Sequence, residues 1–477
     1  MASRKTLNAK NLAGLGAERL AELLIEISRG NAAAQRRLRL ELAAAASPAD
    51  MAQEIRKRLT AISRSRSFVD WHQRKALAAD LETQKQAIAQ VAKVDAAEAL
   101  DLLWRFMALA NSIFNRCDDS SGSVLAVFQA ACNDLGDIAK SANVAPNVLA
   151  EQTYRALTEN EFGQYDRLIA VLAPALGPTG LDHLKQLILK LSHEPLPKPR
   201  DEDRKVIGWS SRGAIYADDL AESHRKSVVR LALEAIADAQ GDVNAFIAQQ
   251  GEKARRVPSV AVEIAQRLLA AGRAEEAWTA INAVDQDRPG WVPVEWEQAR
   301  LEVLETLGRA DEAQAFRWAS FERSLNPEHL RSYLKRLPDF EDLEAEERAI
   351  AHARSHPSVH VALGFLVTWP ALDQAAHLVL ARAGELNGDF YEILAPAAAA
   401  LEDKHPLAAT VLRRALIDFA LEQNRTKRYQ HAARHLEECE NLADRIEDFG
   451  TFETHNAYMS RLKAEHGRKS SFWNLVI

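Results

Sequence analysis

Cysteine is scarce in this chain, with three residues scattered through 477. An odd, dispersed set excludes a disulfide framework and fits a reducing compartment. Glycine (20) and proline (16) are few for the length, so turns are few. No apolar run approaches the roughly 18 residues a membrane-spanning helix needs, and the opening MASRKTLNAK lacks an apolar signal core. A cytoplasmic protein without a membrane partner is expected. Signatures of chemistry are missing as well. There is no Gly-x-Ser-x-Gly elbow and no phosphate loop, and Gly14-Leu15-Gly16 lacks both the third glycine and the preceding strand of a dinucleotide fingerprint. The acid pairs Asp118-Asp119, Asp218-Asp219 and Glu275-Glu276 fall at helix starts, where the helix dipole accounts for them. The expectation is a protein that is not an enzyme, with no catalytic residues, no metal and no cofactor.

What is present is a helix-former's palette of alanine, leucine, glutamate and arginine, with aromatic residues at only 6%. A chain this long exceeds what one core usually organises, so two domains or an elongated repeat array are expected. Leu20, Leu23, Leu24 and Ile27 mark a first helix from about Gly16 to Arg29, stopped by Gly30-Asn31. A second runs from Ala32 to Ala46, and a third begins near Pro48 with Ile55, Leu59 and Ile62. Asp70 to Val94 reads as a longer helix, and Asp95 caps the next. The polar joint Asn115 to Ser123 precedes a helix from Val124 to Lys140. Its Asp119, Ser120 or Ser121 serves as N-cap, or its free amides hold an anion.

Three segments are expected: a helical region over 1–194, a linker or insertion over 195–219, and helical repeats over 220–477 with a capping helix. The linker carries Pro195, Pro197 and Pro199, and then two β-prone pieces between Val206 and Tyr216 that predict a small hairpin. After it, Leu269-Ala270-Ala271-Gly272-Arg273-Ala274-Glu275-Glu276-Ala277 recurs as Glu305-Thr306-Leu307-Gly308-Arg309-Ala310-Asp311-Glu312-Ala313. The glycines supply the positive φ that ends the first helix of a pair, and the alanines let the second pack closely. The spacing is close to the period of helix–turn–helix arrays, and Pro289 falls where such repeats place a proline. These pairs resemble a degenerate tetratricopeptide unit. Two further pairs flank Asn387-Gly388 and Asn424-Arg425-Thr426, before a last helix from His455 to Glu465. The predicted fold is all-α, a tetratricopeptide-like α-solenoid of helix pairs with one short β-hairpin in the middle.

Several longer stretches carry a second resemblance. They are His405-Pro406-Leu407-Ala408, Arg413 to Asp418, Tyr429 to Leu436, and the ending Ala464 to Trp473, with Phe68-Val69-Asp70-Trp71 and Cys117 to Gly122. Together they resemble a family of uncharacterised helical proteins, a domain of unknown function in proteobacteria, over most of the chain. The C-terminal part is similar to the helical tails that follow SWIM-type zinc fingers, but the finger's cysteines and histidine are absent. The resemblance implies a helical-repeat fold and supplies no catalytic residue.

Two surfaces stand out. Residues 1–75 hold fifteen Lys and Arg against seven Asp and Glu, in a chain of net charge −7. Arg36, Arg37, Arg39, Arg56, Lys57, Arg58, Arg64 and Arg66 either form a nucleic-acid face or are solvated residues paired with acids of the same chain. In the repeat half, Trp278, Trp291, Trp296 and Trp318, with Arg317, are candidate anchors for a peptide or protein partner; the alternative is packing between helices. His431, His435 and Cys439 share one helical face, either as part of a metal site short of a fourth ligand or as packing residues. Pro357 breaks the run His352, His356, His360. The preferred reading is a protein–protein scaffold that holds a partner of unspecified identity in a solenoid groove, and the alternative is a nucleic-acid-associated protein. No motif fixes an oligomeric state.

Overall fold

The computed structural model describes residues 6–194, 199–200, 203–211, 213–284 and 293–476. Among them every regular element is helical except one two-stranded antiparallel hairpin, so the fold is all-α. Two compact units divide the chain, Met1–Gly272 and Arg273–Ile477.

The first unit begins with the short helix Ala9–Ala13, followed by Ala17–Ser28, Ala32–Ala46, Pro48–Arg64, Trp71–Ala92 and Ala96–Met107. Their starts follow from local chemistry. Asn31, Ser47, Asp70 and Asp95 each turn a side-chain oxygen onto an amide of the first turn, satisfying donors the helix itself leaves open. Each helix packs on its sequence neighbours, and the apolar faces merge into one core around Phe106, Phe128, Ile88 and Leu135. The Phe68 to Trp71 and Cys117 to Gly122 stretches lie together: Val69 and Cys117 form a parallel bridge, and Arg74 donates to the Asp118 carbonyl at 3.1 Å.

The hairpin forms where it is expected, as β1 (Val206–Ser210) and β2 (Gly213–Tyr216). Val206 faces Tyr216 and Ser210 faces Gly213, with a register shift between Val206 and Gly208. Arg204 fixes it to the following helix by pairing with Asp218 at 2.8 Å and Asp219 at 2.7 Å and by stacking on Tyr216. The hairpin does not divide the units. The next helix, Ala217–Gln240, packs back along Leu168–His193, where Gln240 donates to Asp182 at 2.7 Å. The division comes instead at Gly272, inside the first of the two matching helix pairs.

The second unit is a run of helix pairs. Ala310–Ser324, Glu341–Ser355, Leu372–Ala381 and Pro406–Glu422 form one row in which each touches the next, and Val359–Thr368 and Tyr391–Leu401 lie in a second row. This sequential stacking is that of an α-solenoid. Gly272 and Gly308 have φ of +73° and +70°, and Ala277 and Ala313 are fully buried, as the repeat predicts. At the Asn387-Gly388 joint a side chain on Gly388 would meet the Ala415 carbonyl oxygen at 2.3 Å, so only glycine lets the two segments approach. The tail folds into a short helix, Ser470–Trp473, on Tyr429–Ala443, burying Phe472 edge-on against Tyr429.

Candidate functional site

A hollow of about 900 Å³ lies in the second unit on the row of helices just described. Arg354 reaches it from the last turn of Glu341–Ser355. Gln374, His377 and Ala381 reach it from the outer face of Leu372–Ala381, whose Ala375, Ala376, Leu378 and Val379 are buried on the other side. Leu407 enters from the first turn of Pro406–Glu422, and the segment Asp448 to Phe452 forms the remaining wall.

That wall is clipped in place. The Asp448 carboxylate accepts from the Gly450 amide at 2.8 Å, and the Phe452 amide donates to the Phe449 carbonyl at 2.9 Å. At its near end Arg445 donates to the Asp403 carbonyl at 2.7 Å, and at its far end Arg414 donates to the Glu453 carbonyl at 2.6 Å. The Arg414 guanidinium is buried and stacked 4.4 Å from the Tyr458 ring, and burial lowers its pKa. Inside the hollow, Arg354 donates to Gln374 at 3.1 Å, and no carboxylate among the described residues pairs with Arg354 or His377. A lining of Leu380, Leu407 and Phe452 beside Arg354 and His377, neither of them ion-paired, with Asp448 in the same wall, is suited to an extended segment bearing an acid beside an apolar side chain.

Trp278, Trp296 and Trp318, expected to anchor a partner, do not line this hollow. Trp296 is 5% exposed and donates to the Ile281 carbonyl at 3.1 Å. Trp278 is half-buried, with Arg300 and Arg309 stacked on it at 4.6 and 4.8 Å. Trp318 is half-buried between Arg348, at 3.9 Å, and Tyr333. Arg317 is 2% exposed, bound to Glu305, Ser332 and Gln314. Trp296 and Arg317 are thus packing residues rather than surface ones. Trp291 and Pro289 lie outside the described residues.

Four of the eight basic residues expected to form a nucleic-acid face pair with acids of the chain. Arg56 meets Glu98 at 2.5 Å and Asp101 at 3.6 Å, Lys57 meets Glu54 at 2.6 Å, and Arg58 donates to Asp80 at 2.9 Å. Arg37 pairs with Glu41 at 2.8 Å. Arg36 is half-buried, while Arg39, Arg64 and Arg66 are exposed without an acid partner among the described residues. At the polar joint, Asp119 itself occupies the amides of the following helix, accepting from Val124 at 3.1 Å and Leu125 at 2.9 Å.

The histidines separate. His431 is exposed, His435 bonds Glu438 at 2.9 Å, and Cys439 is buried against the Thr410 carbonyl. Burial lowers the His435 pKa despite Glu438, and pushes the Cys439 thiol up to about 12. Cys132 is likewise buried and raised to about 12, whereas Cys117 is half-buried. Among the described residues no group of three or more His, Cys, Asp or Glu is placed to hold a metal, and no helix is long and apolar enough to cross a membrane. His329 is buried against Glu297 at 2.8 Å. Burial would raise the Glu297 carboxyl, but His329 and Arg323 together hold it below the usual range.

The fold and the hollow define an all-α helix-pair repeat protein with an open recess of mixed polar and apolar lining on one row of helices. The chain belongs to the family of unknown function DUF6880, whose model matches residues 2–475. No curated protein matches it. Among solved structures it is similar to a circular tandem repeat protein with novel repeat topology and enhanced subunit contact surfaces, at 12% identity over 96% of this chain and 95% of that one. The TM-score of 0.17 is too low for that likeness to bear on the fold.

Proposed function

We propose that this chain is a non-enzymatic scaffold that binds a peptide segment of a protein partner in the hollow on the Glu341–Ser355, Leu372–Ala381 and Pro406–Glu422 row. One observation carries the reading: Arg354 and His377 line the recess without an ion pair, the Asp448 carboxylate in the same wall being taken by the Gly450 amide, beside Leu380, Leu407 and Phe452. A ligand acid on Arg354 and an apolar side chain on the floor would fill both needs. The bacterial cytoplasm expected for the chain, and the likeness of its last third to SWIM-protein tails, belong to the same reading. Peptide-display selection on the purified chain tests it. Selected peptides are expected to carry an acid next to an apolar residue and to weaken at least about tenfold against Arg354→Glu, the size of a lost charge-assisted contact. Peptides that bind Arg354→Glu as well as the parent chain would refute the site.

The nucleic-acid reading keeps one supporting observation, the unpaired exposed Arg39, Arg64 and Arg66. With Arg37, Arg56, Lys57 and Arg58 engaged by acids, four of the eight expected cations, Arg36, Arg39, Arg64 and Arg66, are left to release counterions. A shallow salt dependence of any DNA or RNA affinity is therefore expected.

A further inference from the structure

The helix Ala17–Ser28 is amphipathic, yet Ser28 is its single buried residue. Leu20, Leu24 and Ile27 recur at i, i+4 and i+7, with Leu23 beside them, and Ile27 is 73% exposed. Ile25 on the same helix, Leu15 in the turn before it, and Leu12 and Leu42 on the neighbouring helices are exposed as well. Single exposed leucines are ordinary, but a contiguous apolar stripe at the end of a helix array is where another layer stacks. Leu20 and Leu23 are half-covered by the chain itself, while Leu24 and Ile27 lie in solvent.

We propose that a second copy of the chain covers the stripe, through a two-fold antiparallel pairing of this helix with itself. The stripe and its flank are self-complementary, as an isologous contact requires. A two-fold axis between Glu22 and Leu23 seats Leu20 of each copy between Leu24 and Ile27 of the other. The same axis sets Arg19 level with the other copy's Glu26, on the same flank of the seam, and symmetry makes the pair twice. Within one chain Arg19 has only the exposed Glu22, at 2.7 Å, and no described cation pairs with Glu26. The opposite-charge match favours the antiparallel register, and the leucines supply the contact.

Sedimentation equilibrium of the full chain tests this, with circular dichroism confirming that each variant is folded. The parent chain is expected to be a concentration-dependent dimer. Arg19→Glu, which sets four like charges along the seam, is expected to raise the dissociation constant at least about tenfold. Arg19→Glu with Glu26→Arg restores the opposite-charge pairs and is expected to return affinity to near the parent value. Ile27→Asp is expected to abolish the dimer. A chain that stays monomeric at every concentration overturns the proposal. So does a dimer indifferent to Arg19→Glu, or a double variant no tighter than the single one. The test does not involve Arg354 or its hollow, so its outcome is independent of the peptide reading.

Discussion

The helix near each terminus is amphipathic, and the two resolve the exposure of their apolar faces differently. Near the C-terminus Tyr429–Ala443 presents Tyr429, Leu436 and Cys439, and the tail returns over it, sealing Phe472 and tying Trp473 to the His466 carbonyl at 2.9 Å. Near the N-terminus Ala17–Ser28 keeps Leu24, Ile25 and Ile27 in solvent. The same apolar periodicity therefore yields a closed core in one place and an open face in the other. What decides is whether a following segment can turn back. The joint His466 to Lys469 allows it, with the Lys469 amide on the His466 carbonyl and its ammonium on the Leu421 carbonyl at 2.7 Å.

Substitutions on the two faces should separate sharply. Phe472→Ala removes a fully buried ring and should cost the second unit about 3 to 5 kcal/mol in chemical denaturation. Acidification comes next. His435 and His455 are held below their ordinary pKa, chiefly by burial, so the unfolded chain takes up protons first. Their contribution is complete above the unfolded histidine pKa of about 6.5 and is lost as pH falls below it. Between pH 7 and pH 5, hydrogen-exchange protection, corrected for the intrinsic rate at each pH, should fall in His455–His466 while that of Ala17–Ser28, which has no histidine, stays unchanged. His455→Gln should reduce the C-terminal effect. The smallest change is Ile27→Ala, expected within about 0.5 kcal/mol for the unfolding of dilute, monomeric chain. A loss comparable to that of Phe472→Ala would show the N-terminal face to be packed after all.

The fold was readable because its signals are local. Gly272 and Gly308 end helices by their own backbone freedom, Ser47-Pro48 starts one by its own cap, and Val206 to Tyr216 turns within eleven residues. The recess was not readable, since Arg354, His377, Leu407 and Phe452 come from four separated segments that no spacing joins. Arg317 shows a signal that was present and misjudged. It falls four residues after Ala313 and four before Phe321, on the buried stripe of its helix, and it is tolerated there because Glu305, Gln314 and Ser332 receive its donors. The unit boundary fell elsewhere than the composition indicated because the proline-rich stretch is spanned by the packing of Ala217–Gln240 on Leu168–His193.

The three thiols are distributed so that each core has its own clock. Cys132 is sealed in the first unit and Cys439 in the second, both protonated at neutral pH, while Cys117 is within reach of solvent beside the Val69 bridge. A thiol-reactive dye should mark the native chain promptly at Cys117 alone. Its later arrival at Cys132 and at Cys439 would then time the opening of each unit separately, in one unmodified molecule and without engineering a single probe.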